Sequence, residues 1–339
     1  MSQFATSLSY FRPGLDYLRR HQQPLEPYLE VLGISSEQLH QADIRIPNSR
    51  ARQFLQLAEQ QLNEPYIGLH MGESMQWHHL GILGLLLVNC REVKEVFELQ
   101  TRYQSLVGNG LETAYLPEPE GICLRVQPPA GHPALSRQEY EYSLAGWWQL
   151  KTSLLGPELR PTKVELPYAA PSDIAPLVAL FGVRPSFDAS AVRIYFAANY
   201  AHLALQAADP QLKHMLELQA QKRLQDLRGQ VIEQDPQLAK LRAFLVERLA
   251  FGTPSLEQAA QELGVAVRTL QRRLDSRRTS YSQLLDQVRQ QQAQSYIKNA
   301  DMSLLDVAMM LGFAEQSSFA RAFKRWFGKA PGVYRRELS

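Results

Sequence analysis

The sequence has little cysteine and no long apolar run. Cys90 and Cys123 are the only cysteines in 339 residues and lack CxxC spacing, so neither a disulfide framework nor a thiolate zinc site is predicted. The longest apolar candidate, 82–88, is far shorter than the roughly 18 residues that a membrane span needs. The charged N-terminus also lacks a signal-peptide apolar stretch. We expect a cytoplasmic protein with reduced thiols and no membrane partner.

Motifs of catalysis and metal binding are missing as well. The sequence contains no GxSxG elbow, no HExxH, no phosphate-binding glycine loop and no dinucleotide fingerprint. The eight histidines, including the adjacent His78 and His79, lack the spacing of metal ligands. We therefore expect neither an enzyme nor a metal site, and no cofactor.

Composition and length are those of a two-domain globular protein. With 45% hydrophobic and 21% charged residues the chain can fold, and 339 residues exceed the size at which a single core keeps growing. The net charge of +2 conceals an asymmetry. Residues 240–339 hold 16 Lys and Arg against 9 Asp and Glu, whereas the remainder holds 20 against 25, so the two parts carry +7 and −5. This predicts a polyanion-binding tail domain joined to an acidic sensing or structural domain.

The first 208 residues combine helical and extended patterns, which predicts an α+β domain over 1–208. Helical periodicity is visible at 15–31, 49–62, 93–107 and 140–155, and extended stretches lie at 110–116, 121–127, 162–167 and 191–196. The first two extended stretches flank a Pro-Glu-Pro-Glu segment, and this arrangement predicts a β-hairpin.

Residues 209–235 predict a linker helix. Asp209-Pro210 suits a helix start, whereas Gly229 and Asp235-Pro236 are expected to interrupt the helix and to mark a domain boundary near 235. The helix has a sparse apolar stripe, formed by Leu212, Met215, Leu216, Leu224 and Leu227. Two interpretations of the stripe stay open: it packs back on the first domain, or it joins two copies of the chain.

The tail, 236–339, contains an internal repeat. SLEQAAQELG at 255–264 recurs as SLLDVAMMLG at 303–312. A Ser cap, a small Ala in mid-helix and a Gly at the turn are what the first helix of a helix-turn-helix needs. Second helices are predicted at 266–276 and 316–327, and a connecting helix at 281–297, about 25 Å long. We expect an all-α domain with two helix-turn-helix units joined by this linker helix, their reading heads roughly one DNA turn, about 34 Å, apart.

Both second helices carry basic residues opposite their apolar face. The apolar pairs are Leu270 with Leu274 and Phe319 with Phe323, each at i, i+4 spacing. A basic run is usually only a solvated helix face, but its recurrence on the second helix of both repeats favours recognition helices. The predicted partner is double-stranded DNA.

Residues 240–338 resemble the AraC/XylS class of bacterial transcription regulators. The resemblance is carried by VRTLQRRL (267–274) and DVAMMLGFAEQSSFARAFKRWFGKAPGVYRR (306–336). It implies contacts with base edges, which Arg and Gln can make bidentately, from Arg268, Gln271, Arg272, Gln316, Ser317 and Arg321. Phosphate contacts, which give affinity without sequence information, are expected from Arg273, Arg277, Lys324, Arg325 and Lys329.

The first 200 residues resemble the ligand-binding domain of the subset of this class that includes ornithine-use and virulence regulators. LGISSEQL (32–39), the run at 54–73, GILGLLLVNC (81–90) and RPSFDASAVRIYF (184–196) carry this resemblance, which implies a small organic effector such as a fatty acid or an amino acid. Candidate effector contacts are the aromatic Trp77, Tyr103, Tyr142 and Trp147, with Arg102 and Arg125 for a carboxylate. Core packing and internal salt bridges remain alternative roles for them.

Together these patterns predict a sequence-specific transcriptional regulator under effector control. We expect an activator that acts as a homodimer, with RNA polymerase as a further partner. The alternative is a ligand-independent DNA-binding protein whose first domain only oligomerises.

Overall fold

The computed structural model describes residues 4–41, 44–119, 121–157, 160–205, 208–233, 235–277, 279–299 and 302–338. Its contacts divide the chain into two units, Met1–Leu224 and Gln225–Ser339, called here the N-terminal unit and the C-terminal unit. The first combines sheets with helices and the second is helical, as predicted. The domain limits at 208 and 235 stay predictions.

Two antiparallel sheets are present in the described part of the N-terminal unit. Their strands are β1 (Ala5–Ser7), β2 (Arg45–Pro47), β3 (Glu112–Glu118), β4 (Gly121–Gln127), β5 (Lys163–Glu165) and β6 (Val192–Ala197). β1 pairs with β2, and the other four strands lie in the order β3-β4-β6-β5. The predicted hairpin is confirmed as β3–β4, but Pro117 and Glu118 belong to β3, so the turn is shorter than predicted. Pro117 is tolerated because β3 is an edge strand.

Eight α-helices are described before the linker. They are α1 (Arg12–Arg20), α2 (Glu26–Leu32), α3 (Asn48–Leu62), α4 (Ile67–Gly72), α5 (Ile82–Val88), α6 (Val93–Tyr103), α7 (Arg137–Leu155) and α8 (Ala175–Phe181). The single helix predicted at 15–31 is wrong, because Gln22 adopts φ 56° and Pro24 cannot continue a helix. α4, α5 and α8 are not among the predicted helices, since six or seven residues carry barely two turns of periodicity.

α7 is the central element of the N-terminal unit. Ser136 caps its first turn and forms a capping box with Glu139. The helix is buried on two sides: Leu144 and Trp148 belong to one apolar core, and Tyr142 and Leu150 belong to another. α7 therefore joins the two cores of this unit.

Two glycines allow α4 to approach α7 closely. A Cβ atom on Gly68 would overlap the carbonyl oxygen of Gln138, and one on Gly72 would overlap that of Tyr142. The Gly68 amide also donates to Oε1 of Gln138, at 2.8 Å. Backbone contact at this crossing thus requires glycine.

The predicted linker helix is α9, Pro210–Glu233. Its backbone continues through Gly229, so the predicted interruption there is wrong; a helix tolerates an interior glycine at a cost of about 1 kcal/mol. Leu216, Ala220 and Leu224 pack on the core of the N-terminal unit. Part of the apolar stripe thus packs back on the first domain.

Ion pairs and exposed apolar side chains mark the other faces of α9. Lys213 pairs with Glu95 at 2.9 Å, which together with the apolar contacts docks the first half of the helix. By contrast, Leu212, Met215 and Leu218 are 43, 65 and 54% exposed.

Over the described residues, no helix is both long and apolar enough to cross a membrane.

Seven helices follow α9. They are α10 (Pro236–Arg248), α11 (Leu256–Glu262), α12 (Val267–Ser276), α13 (Tyr281–Tyr296), α14 (Leu304–Met310), α15 (Gln316–Phe327) and α16 (Pro331–Leu338). The predicted apolar pairs are confirmed as core: Leu270 and Leu274 are buried in one cluster, and Phe319 and Phe323 in another. α11–α12 and α14–α15 are thus the two predicted helix-turn-helix units.

A carboxyl group is buried inside the N-terminal unit. Glu141 on α7 is 1% exposed, and its Oε2 atom has no hydrogen-bond partner among the described residues. Its Oε1 atom lies 3.7 Å from Nη1 of Arg137 and accepts from the Tyr168 hydroxyl at 3.3 Å. Burial raises the pKa of Glu141 to about 7, against the smaller opposing effect of Arg137.

We expect Glu141→Gln to stabilise the N-terminal unit at pH 8. Because the pKa of Glu141 is higher in the folded chain than in the unfolded chain, its contribution is most favourable below pH about 4.5 and is lost as the pH rises through 7. Gln stays neutral, so the gain should be on the order of 2 to 3 kcal/mol at pH 8 and vanish near pH 4.5. Urea unfolding at both pH values measures it, with the exposed Glu98→Gln as control. An equal effect at both pH values would contradict the assignment.

Candidate functional site

The first helix-turn-helix unit is fixed by local hydrogen bonds. The Gln258 amide donates to Oγ of Ser255 at 3.2 Å, and the Ser255 amide donates to Oε1 of Gln258 at 2.8 Å, which forms a capping box at the start of α11. Gly264 ends the helix with φ 66°, a left-handed conformation that glycine adopts readily. Ala260 is buried beneath the crossing helix. The predicted roles of these three positions are confirmed.

The second unit repeats this construction. Ser303 and Asp306 form the capping box of α14, with the Asp306 amide donating to Oγ of Ser303 at 3.1 Å. Gly312 makes the turn at φ 69°, and Ala308 is buried. The repeat in the sequence is therefore a repeat in the structure.

α13 connects the two units physically. Its residues Leu284 and Val288 lie in the core of the first unit, whereas Ala293 lies in the core of the second. At 1.5 Å per residue, its 16 residues extend about 24 Å. The two helix-turn-helix units therefore cannot move apart without breaking the core contacts of α13.

Arg289 of α13 reinforces this connection. Its Nε donates to the Leu311 carbonyl at 2.8 Å and its Nη2 to the Gly312 carbonyl at 2.9 Å, at the turn of the second unit. The guanidinium also lies 4.3 Å from the centre of the Phe313 ring. Thr253, in the segment before α11, donates to the same Gly312 carbonyl at 2.8 Å. These bonds hold the turn of the second unit against both α13 and the first unit.

The exposed face of α12 carries three of the predicted base contacts. Arg268, Gln271 and Arg272 are all exposed, and their i, i+3, i+4 spacing places them on one side of the helix. Neither arginine forms an ion pair within the described residues. Both guanidinium groups are therefore available to a ligand.

The exposed face of α15 carries the other three predicted base contacts. Gln316, Ser317 and Arg321 are exposed, as is Lys324 one turn further on. Ser317 donates to Oε2 of Glu315 at 2.9 Å, a contact within the first turn. The face combines donors, an acceptor and two positive charges.

Two of the residues predicted to contact phosphates form ion pairs within the C-terminal unit. Arg273 pairs with Asp235 at 3.0 Å and donates to Gln237 at 2.7 Å, while Arg277 pairs with Asp235 at 3.3 Å. Asp235 is 2% exposed and caps α10 through the amides of Gln237 and Leu238. Both arginines thus help to hold α10 against α12, because a buried carboxylate needs paired charges. Their contacts with phosphates stay a prediction.

Arg325 is also engaged within the unit. Its Nη2 lies 2.8 Å from Oδ1 of Asp286 on α13, and the indole nitrogen of Trp326 donates to Oδ2 of the same carboxylate at 3.0 Å. Lys324 and Lys329 are exposed, and their contacts with phosphates stay a prediction. Asp286 thereby fixes α15 against α13.

The N-terminal unit contains a cavity of about 230 Å³. It lies between the two cores of the unit, since residues of both line it, among them Phe54 and Met75 of one core and Leu83 and Phe97 of the other. One side of α7 forms a wall. The lining residues from α7 are Glu139, Tyr142, Ser143, Leu144, Gly146, Trp147, Leu150, Lys151, Leu154 and Leu155.

The structure brings three predicted effector contacts together at this cavity. Trp77, Tyr142 and Trp147 all line it. The indole nitrogen of Trp77 donates to Oγ of Ser153 at 2.8 Å, which fixes the ring beside α7. The cavity is otherwise mostly apolar, as is common for small-molecule sites.

The other three predicted effector contacts do not line the cavity. Arg102 is exposed and pairs with Glu217 of α9 at 3.0 Å. Tyr103 is 1% exposed within the core, and Arg125 lies on β4 outside the cavity. Helical periodicity alone could not separate these positions from cavity-lining ones, because it identifies a buried face and not what that face adjoins.

Other cavity residues were missed from the sequence. Lys151 lies one helical turn after Trp147, and Gln100 and Tyr115 complete the opposite wall. The i, i+4 spacing of Trp147 and Lys151 is the one local signal that could have indicated the lysine. Among the described residues, no group of three or more His, Cys, Asp or Glu side chains could hold a metal ion.

Comparison with known families matches both units. The model described as the arabinose-binding domain of AraC transcription regulators, N-terminal, matches residues 24–205. The chain belongs to the AraC family of transcription regulators. A helix-turn-helix domain model matches residues 259–337, which cover both helix-turn-helix units except the first three residues of α11. This AraC-family chain is therefore a DNA-binding transcriptional regulator with an arabinose-binding-like N-terminal domain.

Individual relatives of this AraC-family chain cover nearly its full length. It is 26% identical to the ornithine utilization regulator of Pseudomonas aeruginosa, over 97% of this chain and 95% of that protein. It is 27% identical to the HTH-type transcriptional regulator VirS of Mycobacterium tuberculosis, over 91% and 90%. Among solved structures, transcriptional regulator CdpR from Pseudomonas aeruginosa aligns over 97% of this chain and 98% of that one, at 21% identity and TM-score 0.48. The named relatives are regulators of transcription, not enzymes.

We expect Asp235→Ala to destabilise the C-terminal unit by about 2 to 3 kcal/mol at pH 7, because it removes a helix cap and leaves two arginines without their carboxylate. Burial would raise the pKa of Asp235, but the hydrogen bond from Arg273 and those from the Leu238 and Gln237 amides outweigh it and lower the pKa. The contribution is thus present above pH about 4 and is lost as the pH falls further.

Calorimetry of the full chain between pH 3 and pH 7 measures this loss. The exposed Asp275→Asn on α12 is the control and should leave the transition unchanged. Asp235→Asn, which keeps the capping oxygen, should lose less than Asp235→Ala. A destabilisation that does not diminish in acid would show that the charge of Asp235 is not involved.

Proposed function

We propose that the chain is a sequence-specific transcriptional activator controlled by a small organic effector bound in the cavity of the N-terminal unit. The observation that carries the proposal is that the C-terminal unit has two exposed polar helix faces, on α12 and α15, and the N-terminal unit has an apolar cavity. A cavity of this kind favours effector control over a purely oligomerising domain, which would need none.

Base recognition in this proposal belongs to the exposed faces of α12 and α15. Arg268, Gln271 and Arg272 contact bases from the first unit, and Gln316, Ser317 and Arg321 from the second. Arg can bond guanine bidentately and Gln can bond adenine in the same way. The fixed length of α13 supports placement of the two helices in successive turns of the major groove.

Arg272→Ala and Arg321→Ala should each weaken binding to the cognate promoter by about 1 to 3 kcal/mol, because each removes a base contact. Binding to a scrambled sequence should change much less. Fluorescence anisotropy with both DNAs at the same salt concentration measures the ratio. Arg248→Ala, an exposed arginine at the end of α10, is the matched control. Equal losses on both DNAs would show that Arg272 and Arg321 contact only phosphates.

The cavity supports effector control. Its volume, about 230 Å³, leaves room for a small ligand. The ornithine utilization regulator is named for a small-molecule pathway, which supports the same class of control here. The exposed Leu212, Met215 and Leu218 of α9 support the proposed homodimer. Contact with RNA polymerase and location in the cytoplasm complete the proposal.

Filling the cavity should remove effector control without removing DNA binding. Leu154→Trp adds ring volume to a lining position of α7, so a bound effector no longer fits. Reporter transcription from the cognate promoter should lose its response to effector, while promoter binding by the purified chain stays within about twofold. Leu180→Trp, which packs on the same core outside the cavity, is the control. A retained response would place effector binding elsewhere.

A further inference from the structure

The cavity of the N-terminal unit has a lining rich in aromatic rings. Nine of the 38 described residues that line it are Phe, Tyr or Trp, whereas these residue types make up 9% of the chain. The rings come from both cores of the unit, so the cavity has two aromatic walls. A ligand that fills this space therefore contacts rings of both cores.

Parallel rings form one wall. Phe97 of α6 stacks on Tyr115 of β3, with ring centres 3.6 Å apart and 12° between the ring planes, and on Tyr200 at 5.8 Å and 20°. All three residues line the cavity. The Tyr115 hydroxyl donates to Oε1 of Gln100 at 2.9 Å, which fixes the orientation of its ring. This wall thus consists of rings held in place by one another.

Rings arranged edge to face form the other wall. Tyr10 meets Tyr142 with ring centres 5.3 Å apart and 74° between the planes, and Phe11 meets Phe54 at 5.9 Å and 81°. All four residues line the cavity. Because the face of an aromatic ring is negative and its edge is positive, rings in both orientations offer complementary surfaces to a further ring.

Several polar groups of the described lining are bonded to other protein groups. The indole nitrogen of Trp77 donates to Oγ of Ser153 at 2.8 Å, and Glu139 accepts from Nε of Arg52 at 2.9 Å. The hydroxyl of Tyr10 donates to Ser143 at 2.9 Å. A charged ligand would lose its hydration here without hydrogen bonds from these groups to replace it, so such a ligand is disfavoured.

The charge of Lys151 is compensated by the protein. Its Nζ lies 4.0 Å from the centre of the Trp148 ring, which is not among the described residues of the lining, and the lysine makes a further interaction within the chain. A cation over the face of an indole ring is stabilised by the negative charge of that face. A bound carboxylate is therefore not needed to compensate this lysine.

We propose that the effector is an uncharged molecule with an aromatic ring, held by ring-to-ring contacts with the two aromatic walls of the cavity. The proposal rests on the cavity being the effector site. It sets aside the fatty acid and the amino acid that the resemblance implied, because both carry charge.

Probes that differ only in the saturation of their rings test the proposal without any variant. Benzyl alcohol, 2-phenylethanol and 2-naphthol are titrated calorimetrically into the full chain, each beside its ring-saturated counterpart. The saturated compound has more apolar surface, so hydrophobic transfer alone favours it. At least one aromatic probe should nevertheless bind about threefold or more tightly than its counterpart, because of its contacts with the rings. Equal or weaker binding of every aromatic probe, or no binding of any, overturns the proposal.

A second pair of probes tests the exclusion of charge. 2-Naphthamide and 2-naphthoate have the same ring system and nearly the same size. The neutral amide should bind about tenfold or more tightly than the carboxylate, since only the carboxylate loses the hydration of a charge. A carboxylate that binds as tightly as the amide overturns the proposal.

Variants then assign the preference to the cavity wall. Phe97→Leu removes a ring and keeps an apolar side chain, so it should reduce the advantage of the aromatic probe at least about twofold. Phe181→Leu is the matched control, because Phe181 is buried in the same core but is not among the lining residues, and it should leave the advantage intact. An advantage that is unchanged in Phe97→Leu, or equally reduced in Phe181→Leu, also overturns the proposal.

The outcomes separate this proposal from the broader one. If saturated probes bind as well as aromatic ones and the reporter loses its response in Leu154→Trp, effector control stands and the preference for a ring fails. If aromatic probes bind by preference and the reporter responds to none of them, the preference stands and effector control fails.

Discussion

One helix shared between two cores is the constraint on which the C-terminal unit depends. α13 supplies Leu284 and Val288 to the first core and Ala293 to the second, so the distance between the helix-turn-helix units is set by a helix that packs into both cores. Arg289 adds hydrogen bonds to the carbonyls of Leu311 and Gly312 at the turn of the second unit. The packing of α13 thus sets the spacing of the recognition helices before any DNA is bound.

The N-terminal unit uses the same principle with a different result. α7 also joins two cores, but the cores do not meet everywhere, and the space left between them is the cavity. Gly68 and Gly72 bring α4 against one part of α7, so that part is closely packed. The wall formed by Trp147 and Lys151 is where packing stays incomplete. A rigid shared helix therefore supports a space that a ligand can occupy.

Neighbouring basic residues of α12 have different surroundings. Arg272 and Arg273 are neighbours in the sequence, yet Arg272 is exposed and Arg273 holds the buried Asp235. The difference arises because the start of α10 lies beside the face of α12 that carries Arg273. Asp235, the buried carboxylate that caps α10, needs a positive charge at this place. A basic residue on a predicted recognition helix can thus fix the helix to its own domain.

Local chemistry was enough to determine much of this protein from its sequence: the repeated Ser caps, Ala260 and Ala308, and the turns at Gly264 and Gly312 all depend on hydrogen bonds and sterics within a few residues. The class of regulator followed from the same segments. Only the tertiary structure decided that Lys151 lines the cavity, that Arg102 does not, and that the first half of α9 packs on the N-terminal unit. Those features depend on partners far away in the sequence, as Glu217 is 115 positions from Arg102, or on space between elements, and a periodic pattern carries no information about either.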